Sequence, residues 1–256
     1  MTGSRSTLGQ VWAALRSVSN DLTRLVWPGR CAACEQPLAA EETLFCASCE
    51  PEQQPALPGE PPPGVDAVLS LFAYQGPVRT ALHKWKYHRR TAIGRALCEA
   101  LAEALDAAGP RLFIGEFLSP SPLAVVPVPT HVERLRERGF DHTWALGKAV
   151  LRPLREQGVE AIWRPEALTR ARATENLPGL DAQERKAALA GAFSCQSKRS
   201  LEQVRVLLID DVLTSGATAS ECAHTLKSHG VSWVAVLSLA HTPATKAPPR
   251  QKAASP

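Results

Sequence analysis

The residues from Val206 to Thr218 read VLLIDDVLTSGAT and set two kinds of chemistry side by side. Asp210 and Asp211 close a run of aliphatic residues. Paired carboxylates there can accept hydrogen bonds from the vicinal hydroxyls of a ribose, directly or through Mg²⁺, a hard cation that prefers oxygen ligands. Next, Thr214, Ser215, Gly216, Ala217 and Thr218 offer hydroxyl donors and small side chains where a helix is expected to open. A helix start has unpaired N–H groups and a favourable dipole, and a glycine lets the backbone come close, so the loop suits a phosphate. A plainer reading is a buried strand followed by a helix that Thr214 or Ser215 caps, but it leaves two adjacent acids at a strand end unexplained. A P-loop ATPase also ends a strand in Asp, yet it needs G-x-x-x-x-G-K-[ST]. The one Gly-Lys pair, Gly147-Lys148, is followed by Ala149.

The second chemical cluster is Cys31-x-x-Cys34 and Cys46-x-x-Cys49, two thiol pairs separated by 11 residues. That spacing lets a short ribbon fold over one tetrahedral Zn²⁺, and four thiolates leave no open position for water, so the zinc would be structural. Two pairs, in a chain whose first 26 residues do not read as a secretion signal, favour metal over a redox pair or disulfides. A nucleic-acid-binding ribbon fits less well, because the residues between the cysteines include no lysine or arginine and carry Glu41 and Glu42. Cys98, Cys195 and Cys222 are scattered and read as small core or surface residues.

These clusters need elements to hold them. The 256-residue chain, 45% apolar and 21% charged, is long enough for one sizeable α/β domain and a small appendage. No stretch of about 18 apolar residues runs free of charge, so no membrane span and a cytoplasmic location are expected. A formal charge of +4 accommodates phosphate ligands but falls short of a dedicated nucleic-acid binder. Leu8, Val11, Trp12, Leu15, Val18, Leu22 and Leu25 recur at helical spacing, so residues 1–29 hold an amphipathic helix, docked on the body or on a membrane surface. Residues 30–50 form the ribbon, 51–64 a proline-rich extended linker, 65–242 the α/β domain and 243–256 a frayed tail. Within the domain the pattern predicts strands over Val65–Tyr74, Leu123–Val128, Glu166–Thr169, Val204–Ile209 and Trp233–Leu239. Helices are expected over Val78–Ala107 with a break near His88, over 131–156 and over Ala217–His229. Such alternation argues for a mostly parallel sheet with helices on both faces.

VLLIDDVLTSGAT resembles the motif by which type I phosphoribosyltransferases bind 5-phosphoribosyl 1-pyrophosphate (PRPP). Together with the leading four cysteines, the run Leu82–Tyr87 and VVPVPTHVERLRERGF from Val125 to Phe140, the sequence resembles the ComF/GntX family over residues 22–241. The resemblance implies a type I phosphoribosyltransferase-like α/β domain behind a zinc ribbon, in a cytoplasmic protein tied to competence, DNA uptake or use of DNA as a nutrient. It makes Asp210 and Asp211 the ribose-diol pair and Thr214, Ser215, Gly216, Ala217 and Thr218 the 5′-phosphate loop. The pyrophosphate loop becomes Pro127-Val128-Pro129-Thr130, with Arg134 and Arg138 as anion ligands, and Lys86 matches a family lysine before an aromatic. Where the family carries Arg-Gly-Phe-Asn-Gln, this chain has Arg138-Gly139-Phe140-Asp141-His142. Leu177 and Ala188 stand where a glutamine and an asparagine are expected, whereas Thr174, Arg185 and Phe193 fit. Amides read a base through paired donors and acceptors, so the resemblance does not carry an acceptor over.

Three functions follow as alternatives. One is Mg²⁺-dependent transfer of phosphoribose to a nitrogen acceptor, with Asp210, Asp211 and Arg138 as catalytic residues. Another is a PRPP- or nucleotide-binding module without turnover, within or beside a DNA-uptake apparatus. The third is a single-stranded DNA contact through Lys84, Trp85, Lys86, Tyr87, Arg89 and Arg90, where aromatics stack bases between cations. Trp85 alongside Leu82 and Ala81 could equally be buried. No general base stands out, since His131 and His142 read equally well as surface histidines.

Overall fold

The computed structural model describes residues 29–50, 60–88, 90–108, 122–171, 182–195, 201–202 and 204–242. Residues 1–28 of the expected amphipathic helix, linker residues 51–59, Arg89, Thr174, Leu177 and the tail 243–256 lie outside the described residues, as does the side chain of Arg185.

Five parallel strands make the central sheet, in the order β1-β7-β6-β2-β3. They are β1 (Ala67–Ala73), β2 (Leu123–Pro127), β3 (Ala161–Trp163), β6 (Arg205–Leu213) and β7 (Trp233–His241). A strand buried on both faces needs an unbroken apolar run, and β2, LAVVP, is buried at every position. Along β6 and β7 successive side chains alternate between two cores. Leu207, Ile209, Ala235 and Leu237 join a cluster with α1 (Gly76–His88), α2 (Thr91–Ala108) and α4 (His142–Glu156). Val206, Leu208, Val234 and Val236 join the opposite cluster with α5 (Ala182–Leu189) and α6 (Ala217–Lys227). Each of the buried valine, leucine and isoleucine side chains among these stabilises the fold by about 1.5–3 kcal/mol.

The break expected near His88 separates α1 from α2. The single helix expected over 131–156 is instead two, α3 (Val132–Arg138) and α4. Gly139 ends α3 in the left-handed conformation (φ 77°), and the Asp141 side chain then caps α4 by accepting from the Trp144 N–H. The strand expected over Glu166–Thr169 is β4 (Leu168–Arg170); β3 and the antiparallel partner of β4, β5 (Phe193–Cys195), were not anticipated, since runs of three residues carry almost no periodicity.

The four-cysteine ribbon rests on the body. Cys31, Ala32, Ala33, Leu44 and Phe45 share a core with Val78, Ala81, Leu82 and Trp85 of the α1 side, and Phe45 meets Phe72 edge to face, centroids 6.1 Å apart. Residues 60–64 lie along α6, where the Ser220 hydroxyl donates to the Pro63 carbonyl at 2.7 Å. Among the described residues no helix is long and apolar enough to cross a membrane.

Candidate functional site: an acid pair and a glycine-opened helix at the sheet's switch point

Strand β2 pairs with β6 from Leu123↔Arg205 to Pro127↔Ile209 and then departs, while β6 continues beside β7 as far as Leu213↔His241. From β2 the chain passes to α4 on one face of the sheet, and from β6 to α6 on the other. Neighbouring strands whose connections leave on opposite faces open a crevice at their carboxyl ends, where ligands bind in open α/β sheets. Asp210 and Asp211 are the first β6 residues beyond the end of β2.

Asp211 Oδ2 is 2.7 Å from Lys86 Nζ of α1, both side chains being largely buried. Asp210 Oδ1 accepts the Asp211 N–H at 2.8 Å. Burial, and next the charge of Asp211, push the Asp210 carboxyl up to about 7. Burial would raise Asp211 as well, but the Lys86 ammonium holds it below its ordinary value, helped by His142 and Arg138. One acid is thus firmly ionised and the other is poised, a pair short of positive charge or hydroxyl donors.

Helix α6 opens at Gly216, an N-cap whose φ of 73° is left-handed and which has no side chain of its own to cap with. The N-cap position expected for Thr214 or Ser215 is held by Gly216, and both lie exposed on the loop before it. A Cβ at Gly216 would run into the Pro62 ring. Between residues 60–65 and the loop Leu213–Gly216 lies a cleft of about 870 Å³, with His241 and Thr242 also lining it.

Across the crevice, Pro127 to Thr130 follow β2. The Thr143 hydroxyl lies 2.9 Å from the Val128 carbonyl and 2.7 Å from Asp141 Oδ1, tying this loop to the cap of α4. Arg138, half-buried at the end of α3, donates to the Tyr87 hydroxyl at 3.3 Å and stacks 5.2 Å from that ring's centroid. Its Nε is buried with no hydrogen-bond partner among the described residues. Arg134 is exposed one turn earlier. Burial first, and Arg134 second, lower Arg170 of β4, so two guanidinium groups crowd this side. Sequence reasoning passed over Arg170 because only the tertiary fold brings β4 near α3.

His142 corrects the surface reading, being 1% exposed. It packs edge-on to Trp85, centroids 4.7 Å apart, and against Phe140 at 4.5 Å. Burial brings it down to about 4, and its Nε2 has no hydrogen-bond partner among the described residues. His131 Nδ1 caps α3 through the Glu133 N–H at 3.3 Å. The basic strip before Arg89 is engaged within the protein. Lys84 bonds the ribbon, Trp85 is buried, Lys86 meets Asp211, and Tyr87 lies between His83 and Arg138.

In the ribbon the four cysteine Sγ atoms lie within 4.8 Å of one another, Cys34 and Cys46 at 3.6 Å. Tetrahedral zinc with bonds of about 2.3 Å sets its sulfurs at this kind of separation. Burial would raise the Cys31 thiol, yet backbone groups of Cys34, Cys46 and Ala33 bring it down to about 6. Burial and the neighbouring sulfurs push Cys49 up to about 12. Four such sulfurs cannot all ionise without a cation among them.

No family model matches the chain. DNA utilization protein YhgH of Escherichia coli K12 is 31% identical over 237 residues, covering 85% of this chain and 99% of that protein. Competence protein F of Haemophilus influenzae is 27% identical over 220 residues, covering 83% and 90%. Among solved structures, a hypoxanthine phosphoribosyltransferase from Trypanosoma cruzi aligns over 60% of this chain and 71% of its own at 14% identity and a TM-score of 0.38, too loose a likeness to argue from. The chain is an α/β protein built on a parallel sheet with its crevice between β2 and β6, preceded by a four-cysteine ribbon. On its identity to the DNA utilization protein over nearly its whole length, the chain belongs to the ComF/GntX family.

Proposed function

We propose that the crevice binds PRPP and that the protein transfers its phosphoribosyl group to a nitrogen acceptor. The observation that carries this reading is the adjacency of the acid pair at the end of β6 to the glycine-opened start of α6. In this reading the backbone from Thr214 to Thr218 holds the 5′-phosphate and Asp210 and Asp211 accept the ribose hydroxyls. Lys86 keeps Asp211 ionised for that task. Pro127, Val128 and Pro129 shape the pyrophosphate loop, where Arg134 and Arg138 oppose the departing charge. The bond from the anomeric carbon to pyrophosphate oxygen breaks as a bond to nitrogen forms, and the nitrogen's proton leaves to solvent. Mg²⁺, when bound near Asp210 and Asp211, would supply neutralisation of the pyrophosphate. Cys31, Cys34, Cys46 and Cys49 would hold a structural Zn²⁺, in keeping with a cytoplasmic location where thiols stay reduced. The relatives' names, a DNA utilization protein and a competence protein, support a role for this activity in the uptake or use of DNA.

A second reading, a PRPP- or nucleoside monophosphate-binding module without turnover, is favoured by Arg138 being turned onto Tyr87. Labelled PRPP offered with purines, pyrimidines, ammonia and simple amines distinguishes the two. A transferase releases pyrophosphate above the protein-free rate, more slowly in Arg138→Ala and Asp210→Asn. Tight binding of PRPP with release at the protein-free rate across the panel establishes the module.

A further inference from the structure

Four consecutive residues of α1 point four ways. Lys84 Nζ donates to the Ala33 carbonyl at 2.7 Å and to Glu35 Oε1 at 2.8 Å, both in the ribbon. Trp85, 3% exposed, fills the core shared with the ribbon and touches His142. Lys86 meets Asp211 at 2.7 Å, and the Tyr87 hydroxyl accepts from Arg138. One helical turn therefore connects the cysteine ribbon to both sides of the crevice.

The ribbon end of this link is held under strain. Glu35 is the one described non-glycine residue with positive φ, 65°, immediately after Cys34. An L-residue rarely adopts this backbone unaided, so the surroundings must hold it. Its N–H donates to the Cys31 carbonyl at 2.9 Å, Arg30 bonds its carbonyl at 3.0 Å, and its carboxylate takes Lys84 and Arg90. The knuckle formed by the first cysteine pair thereby presents a carboxylate and the Ala33 carbonyl to one lysine of α1.

We propose that the ribbon is a positioning element for the crevice, acting through Lys84 as a positioning residue that fixes α1 so that Lys86 reaches Asp211 and Tyr87 reaches Arg138. Loss of the ribbon's grip leaves the phosphate loop intact and disarms the diol and pyrophosphate sides. A ribbon that served only its own folding would not require a lysine of α1 to bond its knuckle one residue from the core tryptophan and two from the acid-pairing lysine. The inference rests on the PRPP reading for its ligand arm alone.

The test uses the full chain, with PRPP binding by calorimetry, inorganic phosphate as a probe of the loop, and amide hydrogen exchange of residues 82–88. Lys84→Met is expected to weaken PRPP on the order of tenfold, Lys84→Arg to restore most of it, and phosphate affinity to stay unchanged. The Lys84→Met/Lys86→Met double variant should bind no more weakly than Lys86→Met alone, because the two act in one chain of contacts. Exchange of 82–88 should rise in Lys84→Met, in Glu35→Gln, and in wild type treated with a zinc chelator. Glu35→Gln, a change on the ribbon's surface, keeps the test open if Lys84→Met folds poorly. Additive losses from the two lysines, or unchanged exchange in both ribbon-contact variants, would overturn the proposal. If wild type fails to bind PRPP, the ligand reading falls, and the exchange arm by itself decides the brace.

Discussion

Lys86 of α1 and Asp211 of β6 meet at 2.7 Å between largely buried side chains, so one member of the acid pair carries its counter-charge within the fold. Asp210, beside it, does not, and its carboxyl stands at about 7. This asymmetry separates two roles that the sequence DD presents as equivalent.

Lys86→Met should leave the Asp211 carboxylate without its cation, destabilising the protein by about 1–3 kcal/mol and weakening PRPP. Asp211→Asn in the same chain should recover much of the stability and none of the binding. Urea unfolding of the two single variants and the double variant measures the coupling directly.

The raised Asp210 sets a pH dependence. Its folded value lies above its ordinary 3.8, so its contribution to stability is fully present below about pH 4 and is lost as pH rises through about 7. Asp210→Asn should therefore melt a few degrees higher than wild type at pH 8, with the gap closing toward pH 4, while PRPP binding falls. Calorimetric melting across that range checks the sign.

His142 shifts the other way. Burial lowers it to about 4, so its contribution is present above about pH 6.5 and is lost as pH falls through about 4. Its ring resonances should not titrate between pH 5.5 and 8. A midpoint near 6.5 in the NMR titration would show an imidazole open to water.

Gly216→Ala imposes a left-handed backbone on an L-residue at about 1–2 kcal/mol and drives a Cβ into Pro62. It should lower stability and PRPP affinity together, whereas Gly191→Ala, at a φ of 65° with open space around it, should lower stability alone. Denaturation and calorimetry on both variants separate strain from blockage.

Protein purified without chelator should contain one zinc per chain by elemental analysis, and Cys46→Ser should contain little. Because Leu44 and Phe45 sit in the core shared with α1, losing the metal should also lower the melting temperature of the body and not only loosen residues 30–50.

Signals carried by near neighbours in the chain were legible in the sequence. The aliphatic run of β6, the two acids, the small residues before α6 and the two C-x-x-C pairs each state their chemistry within a single short stretch of chain, because strand period, helix starts and thiol spacing are local. The parallel α/β sheet followed from the alternation of such segments. Other features depended on residues far apart in the chain, and only tertiary packing decided them. Lys86 was legible as a basic residue before an aromatic, but its partner lies 125 positions away. His142 became a core residue because Trp85 and Phe140 close over it, and Arg170 came beside Arg134 because the fold carries the end of β4 toward α3. The ribbon's seat on α1 and the approach of Pro62 to Gly216 likewise come from the apolar faces these segments bury against one another. Burial then set the charges: the same two aspartates, identical in sequence, titrate apart because one faces a lysine and the other faces its neighbour.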